Sequence, residues 1–171
     1  IERLIHMARM LSKEDRAGIH WSKEHRYRGY TSYASLDDLP QRDPDAADLK
    51  RILDKHVAKF AKECAFDLGR KLKLDSLWVN ILKSGGMHSG HIHPHSVVSG
   101  TIYLDVPPGA GGLRFEDPRL PMMMGAPTRC DDAPEHLRPF VTVMPEPGMI
   151  LLWESWLRHE VEANGAKSDR I

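Results

Sequence analysis

After residue 70, the chain is a series of short segments rich in β-branched and aromatic residues, separated by turns that contain glycine or proline. Segments of this length and composition are typical of strands. They are 76–82 (SLWVNIL), 98–106 (VSGTIYLDV), 112–117 (GLRFED), 139–145 (PFVTVMP) and 148–155 (GMILLWES). Strands this short, with turn signals between them, predict an antiparallel sandwich or a barrel-like pair of sheets.

The first 70 residues carry helical patterns instead. Apolar residues at near-helical spacing predict a short helix within 1–17, and 43–69 predicts one long helix with Asp45 as N-cap and Gly69 at its end. The apolar face of the long helix is predicted to consist of Leu49, Ile52, Leu53, His56/Val57, Phe60 and Cys64. The polar and aromatic stretch 27–45 predicts extended chain and turns.

Together these patterns predict one domain over residues 1–171, of mainly β (α+β) class. A helical and extended part, 1–70, packs on a sheet core, 71–171, and the long helix flanks that core. The segment 120–139 has no clear periodicity and is predicted to be a long loop over a site.

Composition narrows the classes of function. The 171 residues include 24 basic and 24 acidic side chains, so no strong field favours a nucleic-acid partner. No apolar run has the length of a membrane span and no signal peptide is recognisable, so we expect a cytoplasmic protein without membrane contact. Cys64 and Cys130 lack the spacing of a thiolate metal site or a disulfide framework. Because the chain begins at Ile1 and stops at Ile171, we expect both ends to be cut short.

The stretch GGMHSGHIHPHS (85–96) is the strongest chemical signal in the chain. If residues 91–93 are extended, His91 and His93 point to the same face and can bind one Fe(II), Zn or Mn ion. A third ligand must come from a distant segment, and His159 in GMILLWESWLRHEV is the best donor. His88 and His95 are expected to support these ligands or to lie at the surface, since Pro94 interrupts the alternation.

One known motif is matched only in part. The first cupin motif resembles G-x5-H-x-H followed by a glutamate, and Gly85, His91 and His93 supply its beginning. The glutamate is missing, because Val97 and Val98 occupy its positions. The second cupin motif is also missing, because the only distant candidate histidine lies 11 residues beyond the glycine at 148.

Several ordered motifs resemble a different family. The segments that carry the resemblance are GYTSYASLDDL (29–39), LWVNIL (77–82), HIHPHSVVSGTIYL (91–104), LRFEDPR (113–119) and PGMILLWESWLRHEVEANGAKSDRI (147–171). HxHPxS followed by SGxxYL, and a PG-strand-WLxH unit with a later arginine, are the most specific pieces. They are similar to a family of small 2-oxoglutarate/Fe(II)-dependent oxygenases of bacterial and phage genomes, related to the prolyl-hydroxylase branch.

This resemblance implies a fold, an activity and a metal site. The fold would be a double-stranded β-helix, also called a jelly roll, and the protein would be a dioxygenase with Fe(II), 2-oxoglutarate and O2 as cofactor and cosubstrates. His91 and His93 would be the proximal ligands and His159 the distal ligand. The reaction would decarboxylate 2-oxoglutarate and hydroxylate an unknown small-molecule or peptide substrate. A homodimer is one option for assembly.

The resemblance also implies cosubstrate-binding residues. Arg170 lies 11 residues beyond the distal histidine, where related enzymes place the arginine that binds the far carboxylate of 2-oxoglutarate. Asn80 and Tyr103 would supply further polar contacts. Ser99 is expected on the same strand face as Tyr103, near the ligands.

The chain departs from the usual pattern at one ligand. His93 stands where such oxygenases commonly have an aspartate, so three neutral imidazoles would leave the full metal charge uncompensated. Two alternatives therefore stay open at this point: a cupin-like metalloenzyme that needs no 2-oxoglutarate, and a non-catalytic β-sandwich module with a structural metal. The native metal and the substrate are not determined by the sequence.

Overall fold

The computed structural model describes all residues, 1–171, and contains three helices and eight short strands. The helices are α1 (Glu2–Glu14), α2 (Arg16–Glu24) and α3 (Pro44–Glu63). The strands are β1 (Gly29–Thr31), β2 (Asn80–Leu82), β3 (His88–His91), β4 (Val98–Ile102), β5 (Leu113–Glu116), β6 (Phe140–Val143), β7 (Ile150–Glu154) and β8 (His159–Val161). No helix combines the length and the apolar character needed to cross a bilayer.

The long helix forms where the sequence predicts it, but its limits differ. Its N-cap is Asp43 rather than Asp45, because the Asp43 carboxylate accepts hydrogen bonds from the backbone N–H groups of Asp45 and Ala46. The helix ends at Glu63 rather than at Gly69, and Ala65 already has a left-handed backbone with φ of 52°.

The buried face of α3 also differs from the predicted one. Ile52 is 48% exposed, whereas Ala46, Leu49 and Ala61 are buried. The small Ala46 allows the start of the helix to approach the main core, where it packs with residues of the sheets. The short helix predicted within 1–17 is present as α1, and α2, which was not predicted, follows it, with Asp15 capping α2 by accepting from the N–H of Gly18.

All strand pairs are antiparallel and form three sheets. One sheet has four strands in the order β3-β8-β5-β6, and the other two are the pairs β1-β2 and β4-β7. The last residues join the two small sheets. Arg170 exchanges both backbone hydrogen bonds with Leu82 of β2, and Ile171 donates to Asp105 and accepts from Leu104 just beyond β4.

Two apolar clusters hold these layers together. The larger cluster packs α1, α3 and the start of the sheet region against one another through Ala8, Tyr30, Leu39, Ala46, Val79, Ile81, Leu104 and Ile171. The smaller cluster contains Leu82, Leu113, Trp153 and Val161, which come from all three sheets. Side chains from all three sheets therefore share one core cluster.

The structure confirms the predicted mixture of helices with antiparallel sheets. The five predicted strands contain β2, β4, β5, β6 and β7. Three strands were not predicted: β1, β3 and β8, which are short and partly polar. Between 120 and 139 the chain has only two single turns of 3₁₀ helix, and Met122 and Met124 are 78% and 94% exposed there, so they are not packed.

Candidate metal centre

Three histidine side chains converge at the pairing of β3 with β8. His91 of β3 lies directly opposite His159 of β8, and His93 follows two residues after the end of β3. One ring nitrogen of each lies within 4.8 Å of those of the other two. The ring centroids of His91 and His159 are 4.4 Å apart, and that of His93 lies 5.0 and 5.2 Å from them. The group could therefore hold one metal ion.

Backbone carbonyls orient two of the three rings. The Nδ1 of His91 is 2.7 Å from the carbonyl oxygen of Ser89, and the Nδ1 of His159 is 2.8 Å from that of Leu157. A carbonyl can only accept, so each Nδ1 carries the proton and donates it. The lone pair is thereby left on Nε2, as in protein sites where a second interaction fixes the ligand tautomer.

Burial favours the neutral form of two of the three histidines. His159 is 3% exposed, and burial lowers its pKa to about 4. Burial also lowers the pKa of His93, and the nearby His91 acts in the same direction. Trp153 packs against His159 at a centroid distance of 4.7 Å, and Trp78 lies 6.3 Å from His93. Neutral imidazoles are the form that binds metal, so the group is prepared for a cation.

No carboxylate belongs to this group. Glu160, the nearest in sequence to the distal histidine, pairs with Arg114 at 2.6 Å, and Asp105 pairs with Arg9 at 3.1 Å. No carboxylate from elsewhere in the chain therefore replaces the aspartate that such oxygenases commonly have at the position of His93. Three protein ligands also leave further coordination positions for other molecules, as in catalytic metal sites.

An irregularity in β3 brings a fourth histidine to the same region. His88 pairs with Val161 and His91 with His159, so two steps on β8 match three steps on β3, which is a β-bulge. The rings of His88 and His91 are 6.4 Å apart. Burial lowers the pKa of His88 to about 4, and the neighbouring imidazoles and the Arg170 guanidinium act in the same direction.

Arg170 is a buried cation without an acidic partner. It is 6% exposed, donates one hydrogen bond of 2.7 Å to the carbonyl of Gly111, and places its guanidinium 4.9 Å from the centre of the Tyr103 ring. Burial lowers its pKa. The hydroxyl of Tyr103 is buried and makes no well-formed hydrogen bond. Buried polar groups are usually satisfied, so these two are available to a ligand that accepts hydrogen bonds.

Asn80 lies in a polar network that begins in β2. Its side-chain oxygen accepts from the Thr31 hydroxyl at 2.7 Å and lies 3.4 Å from the Tyr27 hydroxyl, while its amide nitrogen makes no hydrogen bond within the chain. Tyr27 is in turn 2.6 Å from Nε2 of His88. Sequence reasoning missed Tyr27 and Thr31. The one signal available was their position in the polar, aromatic stretch just before and within β1.

Ser99 supports the loop that carries His93. Its hydroxyl is 2.8 Å from that of the buried Ser155, whose backbone carbonyl accepts from the N–H of His93 at 3.1 Å. These contacts join the segment after the proximal ligands to the turn before His159. Ser99 is thereby linked to His93 through Ser155.

Two other sequence candidates lie away from the group. His95 is exposed, has a φ of 72° directly after Pro94, and does not join the three histidines. Arg158, the arginine next to the distal histidine, is exposed and pairs with Glu116 at 3.1 Å, so it is not available to a ligand as Arg170 is.

Comparison with known protein families gives one match. Residues 76–171 match the family described as "Putative 2OG-Fe(II) oxygenase", where 2OG stands for 2-oxoglutarate. No curated protein matches the chain. The match covers more than half of the chain and includes all three histidines and Arg170. The chain therefore belongs to this family of 2OG-Fe(II) oxygenases.

Proposed function

We propose that this protein is an Fe(II)- and 2-oxoglutarate-dependent dioxygenase that hydroxylates a small-molecule or peptide substrate. One observation carries the proposal: a buried arginine without an acidic partner lies in the same interior as a group of three histidines that could hold a metal ion. A divalent ion and a dicarboxylate together would satisfy both features. We also propose that residues 1–171 form one domain whose sheets make a double-stranded β-helix, since side chains of all three sheets share one core.

The histidine group fits a divalent metal in its donor chemistry. His91 and His159 both direct Nδ1–H to a backbone carbonyl, which leaves Nε2 free to bind. Imidazole ligands suit iron, and also zinc and nickel. His91, His93 and His159 would therefore hold the ion and leave part of its coordination sphere open.

The second part of the site fits the far carboxylate of 2-oxoglutarate. Arg170 uses only one hydrogen bond within the chain, so its remaining N–H groups can donate to a carboxylate in a two-pronged geometry. The unsatisfied hydroxyl of Tyr103 lies beside the guanidinium and can donate as well. The free amide of Asn80 offers a further donor.

When bound, Fe(II), O2 and 2-oxoglutarate supply an oxidative decarboxylation that is coupled to hydroxylation of a C–H bond. The protein chain binds and orients the metal and the cosubstrate, and it excludes water from the site. Phe115 and Trp153 cover one side of His159, with centroid distances of 6.1 and 4.7 Å. Ser99 and Ser155 fix the loop that carries His93.

A metalloenzyme that needs no cosubstrate is the second candidate. The all-histidine ligand set favours it, because three neutral imidazoles accept zinc or nickel as readily as iron. It gives no role to the unpaired charge of Arg170. The two candidates therefore differ in whether the metal-loaded protein binds 2-oxoglutarate.

The test uses the whole chain loaded with Fe(II). We expect one metal ion per chain, binding of 2-oxoglutarate without oxygen, and release of succinate when oxygen is admitted. His159→Ala should abolish all three, while His136→Ala, which removes an exposed histidine, should abolish none. Metal binding by the wild-type chain without any binding of 2-oxoglutarate would refute the proposal and favour the second candidate.

A further inference from the structure

Tyr27 and His88 form a half-buried pair that the proposed function does not use. The Tyr27 hydroxyl lies 2.6 Å from Nε2 of His88, and the two rings are 5.5 Å apart at an angle of 38°. Tyr27 comes from the link between α2 and β1, outside the residues that match the family. The N-terminal part of the chain thus contacts the strand that carries the proximal metal ligand.

The distances define the direction of this hydrogen bond. Tyr27 has one proton and two acceptors within reach, His88 Nε2 at 2.6 Å and Asn80 Oδ1 at 3.4 Å. The Asn80 oxygen already accepts from Thr31 at 2.7 Å. Because the shorter contact is much the better hydrogen bond, the phenol donates to Nε2. A neutral His88 must then carry its own proton on Nδ1.

The Nδ1–H of His88 makes no hydrogen bond within the chain. Its ring lies 6.4 Å from that of His91, and the positive charge of Arg170 acts on both His88 and Tyr27. The His88 ring therefore lies beside the metal group, within electrostatic range of the buried guanidinium. A ligand that extends from one to the other would pass beside it.

We infer that His88 donates a hydrogen bond from Nδ1 to a carboxylate oxygen of bound 2-oxoglutarate, and that Tyr27 is a positioning residue that holds the required tautomer. The inference rests on the proposed function, because it needs 2-oxoglutarate in this site. It gives the N-terminal part of the chain a direct role in cosubstrate binding.

The test measures binding rather than turnover. Calorimetric titration of the Mn(II)-loaded chain with 2-oxoglutarate gives the Kd, and titration with Mn(II) alone gives the metal affinity. His88→Leu should raise the Kd for 2-oxoglutarate roughly 10- to 100-fold, the usual effect of losing a hydrogen bond to a charged group, and leave Mn(II) affinity unchanged. Matched controls are His56→Leu and Tyr33→Phe, both on exposed side chains, which should change neither value.

A double-mutant cycle separates positioning from simple packing. Tyr27→Phe keeps the ring and removes the proton donor, so it should weaken 2-oxoglutarate binding about 3- to 10-fold in the wild-type background. In His88→Asn, the amide nitrogen replaces Nδ1 and needs no tautomer, so this variant should keep most of the affinity. Adding Tyr27→Phe to His88→Asn should then have no further effect on the Kd. If Tyr27 were only structural, the double variant would bind 2-oxoglutarate more weakly than His88→Asn.

The outcomes distinguish this inference from the function on which it rests. If the wild-type chain fails to bind 2-oxoglutarate, the proposed function is wrong. If the wild-type chain binds it and His88→Leu binds it equally well, the function stands and the inference is overturned. A parallel loss of Mn(II) affinity in His88→Leu would also overturn it, because His88 would then act through the metal group.

Discussion

Replacing Arg170 with methionine should separate ligand binding from stability. The guanidinium is 6% exposed, has one hydrogen bond to the Gly111 carbonyl, and has no acidic partner. Its buried charge is therefore a cost to the free protein and an advantage only when an anion is bound. Methionine has a similar shape and no charge, so it removes both effects.

The binding effect can be worked from the lost contacts. Hydrogen bonds to charged groups contribute about 1.5–3 kcal/mol each, so loss of the two-pronged contact should cost at least about 3 kcal/mol and weaken 2-oxoglutarate binding roughly 100-fold or more. A ligand at about 100 times its Kd adds about 2.7 kcal/mol to the free energy of unfolding, whereas at a concentration equal to Kd it adds about 0.4 kcal/mol. For a chain of this size, these two stabilisations correspond to a ligand-induced rise in Tm of about 5–10 °C in the wild type and about 1 °C in the variant.

Thermal unfolding of the Mn(II)-loaded chain, with and without 2-oxoglutarate, measures both quantities. Without ligand, Arg170→Met should unfold at the wild-type Tm or slightly above it, because the unpaired charge has gone. Arg158→Met is the matched control: that arginine is exposed and paired with Glu116, so its ligand-induced rise should equal that of the wild type. An equal rise in wild type and Arg170→Met would refute the assignment of Arg170 to the carboxylate.

Three further predictions concern the metal and the scaffold. His93→Asp should lower the affinity for Ni(II) and Zn(II) relative to Mn(II), since carboxylate oxygen suits the harder ion; competition titrations would show an unchanged ratio if this is wrong. Asp15→Ala should lower the free energy of unfolding by about 2–3 kcal/mol, because the α2 cap and the acceptor of the Tyr30 hydroxyl are lost. Burial raises the pKa of Asp15, but hydrogen bonds to its carboxylate outweigh this and hold the pKa below its usual value. The stability that Asp15 contributes is therefore fully present above the pKa of the unfolded chain and is lost as the pH falls through the lowered pKa of the folded chain. The urea midpoints of wild type and variant should converge in acid. Gly29→Ala should destabilise the chain by about 1–3 kcal/mol, since φ is 150° and a Cβ there would strike the Ile81 carbonyl; an unchanged urea midpoint would contradict this.

The long helix shows how far sequence pattern reaches. Its existence and type follow from the apolar periodicity, but its ends and its buried face do not. Asp43 and Asp45 both have a capping side chain, and only the path of the backbone decides that Asp43 accepts the N–H groups. Ile52 is as apolar as its neighbours, yet the packing of α3 through Ala46 turns it towards solvent.

The strands that hold the site were the hardest to predict. β3 and β8 are three or four residues long and contain histidine, serine, glycine and glutamate, so they lack the apolar alternation of a strand. They are stabilised by pairing with each other and, for β8, with β5. Such pairing joins residues far apart in sequence, and no local pattern encodes it.

Residue type and local spacing are enough to predict the antiparallel sheet region, the helical N-terminal part and the proximal pair His91 and His93, and they leave His159 as a candidate from a distant segment. Which groups meet depends on the folded chain. A strict alternation would place His88 and His91 on opposite faces, and the bulge in β3 brings both to the site. Tyr27 reaches His88 because β1 pairs with β2, and Arg170 is buried without an acidic partner because its backbone is bonded to β2. These are long-range pairings, whose energy comes from contacts that exist only in the folded chain.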